Sequence, residues 1–107
     1  MIIRRVNRQP SLPDGIVIGQ RCHVGNARGF NFSHGRHISI GDDVVISNDV
    51  RILCHDASSK KQIGLTWVAP VTIKNRAFIG ADAVLMPGIT VGEDAIVASG
   101  AVVTRDV

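Results

Sequence analysis

From Ile73 to Val103 aliphatic residues return every six positions, at Ile73, Ile79, Leu85, Val91, Val97 and Val103. Four residues after each of the first five stands another small or apolar side chain: Ala77, Ala83, Ile89, Ala95 and Ala101. Between them lie Asn75-Arg76, Ala81-Asp82, Pro87-Gly88, Glu93-Asp94, Ser99-Gly100 and Arg105-Asp106, most of which suit a sharp corner. A period of six matches neither an amphipathic helix nor a two-sided strand. It predicts an all-β parallel β-helix, a triangular solenoid in which three hexapeptides, each one short strand and one corner, complete a coil of eighteen residues.

The same register is present earlier at Ile18, Val24 and Phe30, and again at Ile40, Ile46 and Ile52, which makes twelve rungs and about four coils. The whole chain, 1–107, reads as a single hexapeptide-repeat domain with a lead-in over 1–15, where Pro10, Pro13 and Asp14-Gly15 punctuate the chain. Two insertions interrupt it, a short one over 31–37 and a long one over 55–69. Each follows the third rung of a coil, so both leave the prism at one corner, one layer apart. Rigid coils with shaped loops are where repeat proteins carry chemistry. The shared corner collects Asn31, Ser33, His34 and His37 from one insertion and Cys54, His55 and Asp56 from the other.

The run PVTIKNRAFIGADAVLMPGITVGEDAIVASGAVVTRDV, Pro70 to Val107, resembles the C-terminal coils of the hexapeptide-repeat acyltransferases, the group of maltose, galactoside and exopolysaccharide-type O-acetyltransferases. The resemblance implies a left-handed β-helix, a homotrimer, and transfer of an acetyl group from acetyl-CoA to a hydroxyl or amine of a sugar-like acceptor. Cys54-His55-Asp56, followed by a variable loop and the restart Pro70-Val71-Thr72-Ile73, matches the place of the family's catalytic histidine. His55 is therefore the candidate general base: direct transfer from a thioester needs the acceptor proton removed as it attacks, and a neutral imidazole suits that near pH 7. Asn31 resembles the asparagine that holds the acceptor. Ala81 and Ser99 fall where the family offers backbone groups to the pantetheine arm, and Thr104-Arg105 matches the pair that reaches the nucleotide phosphates. Phe78 stands where the family has tryptophan before Ile-Gly.

Composition narrows the alternatives. A net charge of +3 without clustered basic residues, and an aromatic content of 4%, argue against nucleic acid as a partner. The two cysteines, Cys22 and Cys54, form no disulfide framework, and Cys22 falls on an enclosed small-residue position. No apolar stretch has the length of a membrane span, and Met1 to Val6 lacks the core of a secretory signal, so the expected location is cytoplasmic. Four histidines, His23, His34, His37 and His55, keep a gamma-carbonic-anhydrase-like metal enzyme in view, although none are spaced as that class requires, so no metal is expected. A non-catalytic scaffold is the other alternative. His34, His37 and Trp67 read as ordinary loop residues.

Overall fold

Twelve of the strands in the computed structural model, which describes residues 11–107, are the twelve rungs, and they stack as a left-handed parallel β-helix. The first coil contains β1 (Val17–Ile18), β2 (His23–Val24) and β3 (Gly29–Phe30), and the second β4 (Ile38–Ile40), β5 (Val45–Ile46) and β6 (Arg51–Ile52). A hairpin of β7 (His55–Asp56) and β8 (Trp67–Val68), with helix α1 (Lys60–Ile63) at its tip, leads to the third coil of β9 (Val71–Ile73), β10 (Phe78–Ile79) and β11 (Val84–Leu85). The fourth has β12 (Thr90–Val91), β13 (Ile96–Val97) and β14 (Val102–Val103). Three parallel sheets result: β1-β4-β9-β12, β2-β5-β10-β13 and β3-β6-β11-β14. Of the predicted lead-in, residues 1–10 lie outside the described residues, as does the stretch read for a signal.

Every sixth residue enters the prism, so each sheet stacks one column of apolar side chains. The register pairs Phe30 with Ile52 and Leu85 with both Ile52 and Val103, and runs equally through Val24, Ile46, Ile79 and Val97. Ile46, Ile52, Ile79 and Leu85 are fully enclosed, as are Ile38, Val44, Val50 and Val71 two residues before their rungs. Removing such side chains from water is worth about 1.5–3 kcal/mol each. Cys22 differs from expectation. It lies in the first described coil and is only half-buried, its thiol donating to the Gly41 carbonyl oxygen at 3.0 Å.

The corners need left-handed backbone, three residues after a rung. Arg21, Asp43, Asp49, Arg76, Asp82 and Asp94 all have φ between 57° and 62°. That conformation costs an ordinary L-residue about 1–2 kcal/mol, and aspartate tolerates it better than most. On the edge joining the first sheet to the second, neighbouring coils compensate by bonding to one another. Arg21 donates to both Asp43 oxygens at 2.7 and 3.0 Å, and Arg76 to both Asp94 oxygens at 2.8 and 3.2 Å. Beside them, Asp42 Oδ1 accepts the Gln20 N–H and Asn75 Oδ1 the Asp42 N–H, each at 2.8 Å.

The hydrogen-bonded Arg21 guanidinium holds the Asp43 carboxyl below its ordinary value, and Arg76 does the same to Asp94. A depressed folded-state pKa means stability that is complete above the unfolded-state value and is lost as pH falls through the folded one. The double variant D43N/D94N is thus expected to melt lower than the parent at neutral pH. The two curves should converge as the solution is acidified below the aspartate range; a gap independent of pH would remove the carboxylates from the account.

Candidate active site

The chain leaves the coil twice after the third sheet, and both departures begin as if the coil were going on. After β3 the Asn31 N–H bonds to the Ile52 carbonyl at 2.9 Å, which places Asn31 directly against the layer above. The chain then forms a 3₁₀ helix, Phe32–His37, kinked at His34. Its seat is Gly35, where an added Cβ would meet the Asp14 carbonyl and, at 2.7 Å, the Pro13 side chain, so only glycine allows the short insertion to pack on the lead-in. One layer up, β7 starts at His55 and pairs antiparallel with β8, and the Ala69 N–H closes the hairpin on the Cys54 carbonyl at 2.9 Å.

These two departures bring three side chains together. The Asn31 amide nitrogen lies 2.6 Å from His55 Nδ1, and its oxygen 3.1 Å from His34 Nδ1. The His34 and His55 rings are 5.1 Å apart between centroids, and the His37 ring stands 6.0 Å from that of His34. His55 is exposed, whereas His34 is half-buried. Burial, followed by the proximity of His55, Arg36 and His37, lowers the His34 pKa below the ordinary imidazole value. The imidazole of His55 thus has one nitrogen fixed by an amide on a ring that is otherwise exposed.

The remaining members of the predicted corner separate from this group. Cys54 is fully enclosed, and burial pushes its thiol pKa up, the reverse of what a nucleophile needs. Asp56 turns its carboxylate to the Ser58 N–H at 2.8 Å, a bond that lowers its pKa and leaves the imidazole to Asn31. Ser33 is exposed on the 3₁₀ helix, and His23 lies on the outside of the second sheet. Among the described residues no three or more histidine, cysteine or acidic side chains converge as a metal site would require.

The residues singled out for CoA fall on two edges of the prism. Ala81 and Ser99 sit between the second and third sheets in successive coils, where the Gly100 N–H bonds to the Ala81 carbonyl at 2.8 Å. Thr104 and Arg105 follow β14 and stand on the edge of Asn31 and His55, two layers above His55. Both are exposed. Grooves of about 240 and 270 Å³ lie elsewhere, the first around Ser39, Thr72, Lys74 and Glu93, the second around Arg28, Asp49, Arg51 and Asp82.

Comparison with known proteins matches residues 70–105 to the model of the bacterial transferase hexapeptide family (six repeats). A crystal structure of a hexapeptide-repeat containing acetyltransferase from Vibrio cholerae superposes with a TM-score of 0.76 at 27% identity, over 87% of this chain and 53% of that one. Over residues 70–105 the chain carries the hexapeptide repeat of that transferase family. The chain is 29% identical over 96 residues to the galactoside O-acetyltransferase of Escherichia coli K12, covering 83% of itself and 47% of that relative. It is 54% identical over 39 residues, 36% of its own length and 16% of the relative's, to a 2,3,4,5-tetrahydropyridine-2,6-dicarboxylate N-acetyltransferase of Staphylococcus aureus. It spans about half the length of the first of these relatives, and much less of the second.

Two features of the site were not legible as such in the sequence. His34, read as a loop residue, is the second imidazole on the Asn31 amide. Trp67 lies over the corner of the third coil: a Cβ on Gly88, which has φ +84°, would stand 3.3 Å from the indole. Trp67 pairs with Asp56 in the hairpin of β7 and β8. Among the described residues no helix is long and apolar enough to cross a membrane.

Proposed function

We propose that this chain is the catalytic β-helix of an acetyl-CoA-dependent O- or N-acetyltransferase acting on a small, sugar-like acceptor. The observation that carries the reading is the exposed His55 imidazole, fixed through Nδ1 by Asn31 on the edge that the two insertions share. Its support from outside the chain is that the galactoside and dicarboxylate relatives are both acetyltransferases. His55 Nε2 takes the proton of the acceptor hydroxyl or amine as that atom attacks the thioester carbonyl carbon. The C–S bond then breaks, the acetyl group stays on the acceptor, and the CoA sulfur leaves with the proton returned by the imidazolium. A backbone N–H at the corner would steady the oxyanion. Asn31 retains one amide hydrogen and one oxygen lone pair beyond its two imidazole bonds, enough to hold an acceptor hydroxyl as well.

The active form is proposed as a homotrimer. Outward positions of the second and third sheets in the upper coils are apolar, and Phe78, Ile96 and Val102 remain 41%, 74% and 62% exposed in the single chain. A neighbour covering them would set its second edge, with Ala81 and Ser99, against the third edge of the first chain, with His55, Thr104 and Arg105. The two groups of CoA candidates would then face each other across one cleft. Small residues at Ala81 and Ser99 admit the pantetheine arm, and the exposed Arg105 guanidinium suits a phosphate.

Calorimetric titration with CoA, alongside light scattering, tests the reading. The expected result is a particle of about three times the 11.4 kDa chain mass that binds one CoA per chain. Arg105→Ala should weaken CoA more than dephospho-CoA if the guanidinium meets the 3′-phosphate. A monomer, or an equal loss for both ligands, would count against the shared cleft or against that contact respectively.

A further inference from the structure

Asn31 touches both imidazoles through their Nδ1 atoms, and a carboxamide accepts on one side and donates on the other. An Nδ1 that faces the amide oxygen must carry a proton, and one that faces the NH₂ group must be bare. Two neutral histidines held in this way have to be opposite tautomers. They can also share one added proton without losing a bond, but not two. A half turn of the amide exchanges its ends, so the same atomic positions serve two arrangements.

In the first arrangement the oxygen faces His34. His55 Nδ1 is then bare, its proton sits on Nε2, and it has no lone pair to offer an acceptor. In the second the oxygen faces His55, which carries the proton on Nδ1 and turns a bare Nε2 outward, while His34 holds its proton on Nε2. Only the second arrangement supports the His55 imidazolium formed when the acceptor proton is taken. We propose that Asn31 and His34 are positioning residues that select this second arrangement and so turn the Nε2 lone pair of His55 toward the acceptor. The catalytic meaning rests on the reading of His55 as the base; the hydrogen-bond logic does not.

What favours the second arrangement is the length of the two contacts: 2.6 Å to His55 is short for N–H···N and suits an imidazole N–H donating to the amide oxygen, while 3.1 Å to His34 suits the amide N–H donating to a bare ring nitrogen. His34 is half-buried and faces His55 on β7 and Arg36 and His37 on its own 3₁₀ helix, and burial with those neighbours lowers its pKa, which agrees with the added proton residing on His55. Asn31 then plays toward His55 the part that an aspartate plays in a catalytic triad, fixing the tautomer without becoming charged itself.

The test is the tautomer of each ring, read from long-range proton–nitrogen correlations in protein labelled with ¹⁵N-histidine, at a pH where both rings are neutral. The expected result is a proton on Nδ1 of His55 and on Nε2 of His34. In Asn31→Asp, of the same shape, a carboxylate accepts at both ends, so both rings should carry the proton on Nδ1. The His34 titration should also move up by about 1–3 units, the usual effect of an adjacent opposite charge. Identical tautomers in the parent protein, a proton on Nε2 of His55, or an Asn31→Asp chain in which His34 keeps its proton on Nε2 would each overturn the proposal. Should the variant not fold, the parent spectrum decides alone. Because no substrate enters the experiment, its failure is distinct from failure of the catalytic reading, which the kinetics of His55→Ala decide.

Discussion

His55→Ala is expected to lower kcat by about 10²–10⁴, the usual contribution of a positioned general base, or roughly 3–5 kcal/mol of barrier. The side chain is exposed, and the backbone of β7 is held by β8, so the imidazole can be removed without opening the core. CoA affinity should barely change, since its candidate contacts lie in the third and fourth coils. Cys54→Ala should keep most of the activity, because that thiol is enclosed and its pKa is raised. Steady-state kinetics with a responsive acceptor, on protein whose mass and CoA binding match the parent, make the comparison. Turnover near the parent rate would sink the assignment and turn attention to His34 and His37.

Ile52→Ala is expected to cost about 2–5 kcal/mol of stability, the range for truncating a large buried aliphatic side chain. Ile52 is fully enclosed, with Phe30 in the layer below and Leu85 in the layer above. A β-helix has little means of closing such a gap. Its layers are held at strand spacing by bonds such as Asn31 N–H to the Ile52 carbonyl at 2.9 Å and Leu53 N–H to the Leu85 carbonyl at 3.0 Å. Urea unfolding at one fixed protein concentration is the measurement, since association would otherwise shift the apparent stability. A loss below about 1 kcal/mol, the scale of a volume-conserving swap, would show that the column collapses and that the interior is plastic.

How much of this was legible depends on whether a residue's place follows from counting. The rungs did, because enclosure recurs every six residues and an error of one position would turn Ile46 or Leu85 outward. The meeting of Asn31 with His55 followed from the same count, since two insertions after third rungs must share an edge. His34 did not follow, because its position is set by Gly35 against Pro13 and Asp14, a contact between segments with no period. Counting also separates Ala81 and Ser99 from Thr104 and Arg105, yet motif resemblance grouped them as one set, and their division between two edges emerges only when the prism is built. Left-handed corners were legible as turn pairs. That Arg21 and Arg76, ordinary residues for conformation, would occupy them needed the partners one coil above.

That first edge also restricts how such a molecule can change in length. Along it the left-handed corner positions alternate in sign, Arg21, Asp43, Arg76 and Asp94, one in each coil. Removing the second coil would preserve every apolar column and every corner, yet it would stack Arg21 beneath Arg76, and duplicating that coil would place one Asp43 on another, like charges at close range in each case. Removing or duplicating two adjacent coils together restores the alternation. The hydrophobic repeat counts in single coils while the charges count in pairs, so for coils gained or lost inside the stack this edge acts as a parity check that the core does not make.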